Sequence, residues 1–377
     1  MTLQVCPGFG PKTVFRLNPD YRLVDRGSLP EQAVRQCLGL LDDPDFFGLL
    51  IPRTAKGLLI KAVQRGDAAL LAGLVQPGPM PGELILSRPA AVSYITQLVY
   101  DRVLEVEIAG DFVSGPDAAQ FGGIPSAAGE RMSISDRAIL YGANLRLDDP
   151  LELADRLYAF NRKPTNLAQM RAGEDRVGFR RFLGLTDGDD FDGFRELRQA
   201  NDRPAWMEWR RAGRAAIPAP TTAYKLYVCV QPEAIPLVFK ACALTVAQQG
   251  ACGFKIAANL STLNRPDKFI IYFDTVSALQ AGARDLAVVL ADVEPHELPF
   301  GGTLTVTTLA WGIDPPRNQG NPGASWRSWV CGKVAGALLG AMSGGAEPAE
   351  AVVFTKRRIA LDGLDPGSWA PDRVRFE

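Results

Sequence analysis

Hydrophobic residues recur along this chain with two periods, and the change of period marks out its elements. Between Tyr224 and Phe273 the runs YKLYVCV, GFKIA and KFIIYF are dense in apolar, β-branched and aromatic residues and read as buried strands. Leu151, Ala154, Leu157 and Tyr158 in DDPLELADRLYAFNRKP follow helical spacing instead, and Pro164 ends that helix. Through the first third, TVFRLN and YRLVDRG read as strands and LPEQAVRQCLGLL as a helix opened by a proline. FFGLLIPRTAKGLLIKAV reads as two β runs joined by a polar turn, followed by the helical RGDAALLAGLV and the breaker cluster QPGPMPG. SYITQLVYDRVLEVEI is a helix passing into a strand, and GDFVSGP a closing turn.

Residues 126–218 read as mainly helical. ISDRAILYGANL starts at a cap, Ser133 or Ser135, and the stretch from Glu174 to Ala216 alternates charge with Phe and Trp, as surface helices do. IPAPTT is a Pro-rich hinge. Beyond it the pattern gives strands at 224–230, 253–257, 268–273 and 303–311, helices at 232–249, 275–291 and 325–342, a long loop at 312–323 and a closing strand near 351–359. The fold class expected is α+β: a C-terminal mixed sheet with packed helices (219–377), a helical connecting segment (126–218) and a small N-terminal α+β module (1–125).

Composition narrows the function. The 377 residues are 47% hydrophobic and 22% charged, ordinary globular values, and 41 Lys+Arg against 42 Asp+Glu gives a net charge of -1. That balance argues against a nucleic-acid partner, and without a long apolar run or a signal-like N-terminus no membrane role is expected and the cytoplasm is the expected compartment. The 6 cysteines form no CxxC and sit mostly in apolar runs, which reads as reduced core residues. A single histidine, His296, excludes a multi-histidine metal site and any mechanism needing two imidazoles. DGDDFDG at 187–193 has no glutamate where a calcium loop needs one and reads as a solvated acidic loop. No GxGxxG, Walker lysine or GxSxG elbow follows a strand.

Lysine in a buried strand is unusual enough to suggest chemistry. Lys225 and Tyr227 are two apart and share a face of their strand; Lys255 sits between Phe254 and Ile256. An apolar wall lowers a lysine's pKa toward what a general base requires, whereas a snorkelling amine keeps its ordinary value. Arginine's planar fork suits phosphate, and Arg265, Arg317 and Arg327, with Lys268, make a candidate anion clamp; Arg327 also opens a helix.

Lys-x-Tyr in the first strand, Phe-Lys in the second, an arginine shortly before Lys-Phe-x-x-Tyr-Phe, and WGIDPPR followed by SWR together resemble the HopA-type effector family. That family is related to phosphothreonine lyases and to the lyase domains of class III and class V lanthipeptide synthetases. DDPLELADRLYAFNRKP is similar to its helical lead-in. The resemblance spans about 140–345 and implies a phosphothreonine-lyase-like fold and β-elimination of phosphate from a phosphorylated Ser or Thr with no metal and no organic cofactor. It also implies roles: Lys255 as base, Lys225 stabilising the enolate or phosphate, and Arg265, Lys268, Arg317 and Arg327 as the clamp. Where the effector lyases keep an acid histidine, this chain has Tyr227. Either Tyr227 protonates the leaving group, or protonation is dispensable, or His296 is a displaced acid, or the protein is a non-catalytic binder. The hairpin and helix from LLIPR to GDAALLAGLV resemble PqqD-like winged-helix elements that bind leader peptides. The expected partners are a phosphorylated precursor peptide and a separate kinase, in ribosomal peptide maturation; the alternative is a peptide-binding scaffold subunit.

Overall fold

The computed structural model describes residues 12–36, 40–53, 58–80, 89–122, 132–163, 176–185, 191–197, 205–213, 224–304, 306–316 and 324–372. The chain forms two compact units: residues 1–131, 139–153 and 333–362, and residues 132–138, 154–332 and 363–377. Helices and antiparallel sheets make both, so the class is α+β. No helix among the described residues is long and apolar enough to cross a membrane.

The first unit carries β1 (Val14–Leu17), β2 (Tyr21–Asp25), β3 (Phe46–Pro52), β4 (Lys61–Gln64), β5 (Gly78–Pro79), β6 (Leu104–Ile108) and β7 (Asp111–Val113). They form a 4-stranded sheet, β5-β1-β6-β7, and a 3-stranded sheet, β2-β3-β4. The hairpin anticipated from LLIPR onward is β3–β4, and the helix Arg65–Gly73 after it buries Ala68, Leu70 and Leu71. GDFVSGP does more than turn. Ala109 (φ 54°) and Gly110 (φ 96°) make a two-residue hairpin that pairs β7 with β6, because left-handed backbone at both central positions matches strand twist.

The segment near 351–359, expected as a strand, is the helix Pro348–Leu361. A capping box between Glu347 and Glu350 with proline in the first turn starts it, and Ala351, Phe354, Thr355, Arg358 and Ile359 are buried at helical spacing. Those signals override the β-propensity of Val352 and Val353. Arg358 grips Asp101 with both prongs, at 2.6 and 3.0 Å.

The second unit holds β8 (Phe194–Glu196), β9 (Trp206–Arg211), β10 (Tyr224–Val228), β11 (Gly253–Ala257), β12 (Phe269–Phe273), β13 (Gly302–Thr303) and β14 (Leu309–Gly312). They form a 7-stranded sheet in the order β13-β14-β10-β12-β11-β9-β8, with every described neighbouring pair antiparallel. β12 lies between β10 and β11, so those two run parallel to each other without touching. The expected helical stretch before 218 therefore contributes two strands. WMEWRR alternates with period two: Met207 and Trp209 are buried while Trp206, Glu208 and Arg210 face the other way.

One face of this sheet is apolar. Met207, Trp209, Leu226, Val228, Phe254, Ile256, Phe269, Ile271 and Phe273 pack with Ile235, Phe239 and Cys242 of the helix Ile235–Gln248 and Leu279, Ala283 and Leu286 of the helix Val276–Val289. At about 25 cal/mol per Å² of apolar area this burial is the main force holding the sheet. Cys229, Cys242, Cys252 and Cys331 are buried and in no disulfide; Cys6 and Cys37 lie outside the described residues.

Candidate functional site

Alternation along four strands sends the other set of side chains to the opposite face. Register pairs Lys225 with Tyr272, Tyr227 with Ile270, Lys255 with Ile270 and with Glu208, and Lys225 with Gly312. Lys225, Tyr227, Lys255, Tyr272, Trp206 and Glu208 thus share one side.

Cations and rings alternate across it. Tyr272 has the Lys225 amine 6.0 Å and the Lys255 amine 5.7 Å from its centroid. Lys255 Nζ is also 4.6 Å from the Trp206 ring, which holds the Arg265 guanidinium at 5.1 Å on its own account. Arg265 lies 5.3 Å from the Tyr158 ring, Arg327 is 4.2 Å from the same ring, and Arg327 is 4.7 Å from Phe300. Such contacts contribute about 0.5–2 kcal/mol each, more when desolvated.

Two carboxylates complete the frame. Asp267, 3% exposed, takes Arg265 with both oxygens, at 2.9 and 2.6 Å, and also accepts from Arg327 Nη1. Arg327 donates further to the Tyr158 carbonyl, while its Nε finds no acceptor among the described residues. Burial alone would raise the Asp267 carboxyl, but Arg327 and Arg265 hold it below the usual carboxylate range. Asp314, at the mouth of the loop after β14, pairs with Lys225.

Lys255 is half-buried, and no described carboxylate lies within ion-pair distance of it. Burial first, and the Lys225 ammonium second, lower its pKa. The neighbouring cations Lys225 and Arg265 act in the same direction, while Glu208 and Asp267 oppose it.

Tyr227 is buried, its ring edge-on to Phe300 with centroids 6.3 Å apart. A side chain at Gly312 would come within 3.2 Å of its hydroxyl, so the glycine leaves the phenol room. Burial, with Asp267 adding, pushes this phenol far above its usual range, making it a poor acid.

Lys268 and His296 stand apart from this frame. Lys268 is fully buried and donates to the Val230 carbonyl at 2.5 Å and to His296 Nδ1 at 3.0 Å; His296 Nε2 in turn donates to the Asn161 carbonyl at 2.6 Å. Burial lowers Lys268 to about 7, and burial together with Lys268 lowers His296 to about 3. A lysine tied to a carbonyl and an imidazole is a brace for the loop at Pro295, and a neutral histidine whose one N–H is held by a carbonyl is a poor acid. Because His296 titrates at about 3 folded and 6.5 unfolded, the unfolded chain binds the extra proton between those values. The stability that His296 contributes is therefore full above pH 6.5 and falls with acid. Melting temperature measured from pH 7 to pH 4 is expected to drop more steeply in the native protein than in His296→Gln, by the equivalent of about 3 kcal/mol. Parallel curves would mean that His296 is not the titrating group.

Among solved structures, the chain is similar to the effector protein from Pseudomonas syringae pv. syringae strain 61, at 15% identity and a TM-score of 0.41, over 64% of this chain and 99% of that one. The effector from Pseudomonas syringae pv. tomato strain DC3000 is similar at 13% and 0.40, over 63% and 95%. The phosphothreonine lyase effector VirA (SpvC) of Chromobacterium violaceum is similar at 12% and 0.30, over 50% and 91%. No protein-family model matches the chain, and no curated protein sequence does. Overlaps of this size leave the reading of the site to its own residues.

Of the residues singled out from sequence, Lys225, Lys255, Arg265 and Arg327 come together, Tyr227 lies beneath them, Lys268 is withdrawn, and Arg317 lies outside the described residues. Trp206, Tyr158, Phe300, Asp267 and Asp314 were not anticipated. For Trp206 a signal existed, the period-two alternation of WMEWRR. DGDDFDG falls largely outside the described residues, and the described ones contain no group of three metal-ligating side chains.

Proposed function

We propose that this face eliminates phosphate from a phosphoserine or phosphothreonine of a peptide, leaving a dehydroamino acid. The observation that carries the reading is Lys255, an amine with lowered proton affinity that shares the Tyr272 ring with Lys225 and the Trp206 ring with Arg265, which in turn shares the Tyr158 ring with Arg327. Neutral Lys255 takes the Cα proton, and the C–H electron pair moves into the Cα–Cβ bond as the Cβ–O pair departs with phosphate. Lys225 stabilises charge building on the carbonyl oxygen, and the guanidiniums receive the phosphate, with Arg317 a further candidate. Tyr227 is poorly suited to protonate the leaving group, so phosphate leaves as an anion among cations.

The context proposed is maturation of a ribosomal peptide in which a separate kinase phosphorylates the precursor and the hairpin β3–β4 receives its leader. A second reading, a non-catalytic phosphopeptide-binding subunit, is favoured by Tyr227, a buried phenol held far above its usual range at the position where an acid would stand. Incubation with a phosphothreonine peptide separates the two. Elimination yields a product lighter by phosphoric acid in mass spectrometry, whereas a binder returns the peptide unchanged with saturable heat in calorimetry. Free phosphate with an intact threonine would refute elimination.

A further inference from the structure

Three like charges, Lys225, Lys255 and Arg265, crowd one sheet face, and two of them have carboxylate partners in Asp314 and Asp267. Lys255 instead lies over rings, nearest that of Trp206. The same indole lies 5.1 Å from Arg265. Its neighbours in β9, Met207 and Trp209, fill the helix-side core, so Trp206 is placed on the polar face by strand alternation and owes nothing to that core. A large apolar ring half-exposed between two cations is a poor choice for covering a sheet and a good one for fixing cations, because the ring face carries negative potential.

We propose that Trp206 is a positioning residue of this site, its indole holding the Lys255 amine and the Arg265 guanidinium together and so setting the base relative to the phosphate clamp. The roles of base and clamp rest on the lyase reading; the hold of the ring on the two cations does not. In β-elimination the proton and the phosphate leave from adjacent carbons, so a fixed spacing between the group that takes one and the group that receives the other bears on the rate more than on affinity. Trp206 touches neither reacting atom. It acts through Lys255 and Arg265.

Two replacements isolate the ring: Trp206→Phe keeps an aromatic face, and Trp206→Leu keeps apolar cover without one. The first measurement needs no turnover. Trace acetylation of the full chain across pH 6–11, read at the Lys255 peptide by mass spectrometry, reports the proton affinity of that amine. Around it stand Lys225 from β10, Glu208 from β9, Tyr272 from β12, and Asp267 and Arg265 from the loop before β12. A ring face favours the ammonium, so the Leu variant is expected to titrate about half a unit lower than the native protein, with the Phe variant close to native. The second measurement is elimination from a phosphothreonine peptide: kcat is expected to fall at least about tenfold in the Leu variant with KM changed less than about threefold, and to recover largely in the Phe variant. An unshifted Lys255 titration in a Leu variant whose circular dichroism is native would overturn the proposal. So would a Phe variant as impaired as Leu. A shifted titration in a protein that never eliminates phosphate would uphold the hold of the ring and refute the lyase.

Discussion

Lys255→Arg is expected to abolish elimination while leaving phosphopeptide binding within a few-fold of native. Arginine keeps the positive charge, and its planar cation can stack on Trp206 and Tyr272 as the lysine amine does, 4.6 and 5.7 Å from their centroids. What it loses is the neutral form, since guanidinium holds its proton at any working pH. A positioned general base contributes about 10²–10⁴-fold, so single-turnover elimination followed by mass spectrometry should fall by at least that factor. Lys255→Ala should be equally inactive and also bind less well, having lost the charge. Elimination at native rate in the arginine variant would mean that Lys255 acts only as a cation and that the base lies elsewhere. The same assignment gives a pH signature: burial and Lys225 lower the Lys255 pKa, so the rate rises with pH through a value below that of an ordinary lysine.

Asp267→Ala is expected to be the most destabilising single change in the sheet unit. It removes the carboxylate that pairs with both Arg265 and Arg327, side chains with 10% and 2% relative exposure, and leaves two guanidiniums facing each other under cover. Breaking a buried pair from one side costs about 3–5 kcal/mol. For a unit of this size that corresponds to a fall in Tm on the order of 10 °C. Added orthophosphate should recover more of the loss in the variant than it stabilises the native protein, because the oxygens it offers replace those of the aspartate. An unchanged Tm would mean that the arginines find other acceptors, and a loss insensitive to phosphate would mean that the space left by Asp267 does not admit an anion.

Much of this arrangement could be read from residue order, for reasons that differ by element. The shared face of Lys225 and Tyr227 follows from the period of a strand, and the strands followed from aromatic and β-branched runs. β9 was missed because charge mixed with Trp and Phe resembles a surface helix unless the period is counted. The helix Pro348–Leu361 was missed because two adjacent valines outweighed a capping box in local reading, whereas burial at helical spacing decided the outcome. Lys268 has the sequence credentials of a clamp residue and the parity of Tyr272. Its withdrawal comes from His296, whose loop no local pattern attaches to β10, although the backbone bond from His296 N to the Cys229 carbonyl at 2.8 Å does so in space. Asp267 was invisible for a similar reason. One carboxylate in a polar loop becomes the hub of two arginines only when a residue 60 positions later is brought beside it.

The place of β12 between β10 and β11 has a consequence for how the site comes into being. The two lysines reach each other only across a strand that is synthesised after both, so neither the β10 hairpin nor the β11 hairpin can display the pair alone. Side-chain direction alternates at every residue, and sliding β11 along β12 by a single position would turn Lys255 into the phenylalanine-rich core and bring Phe254 or Ile256 out. The core refuses that slip, since it would bury a lysine among aromatic rings. Correct alignment of the sheet and the pairing of the two amines are thus one event, and appearance of a Lys255 of lowered proton affinity during refolding would time the closure of the central strand.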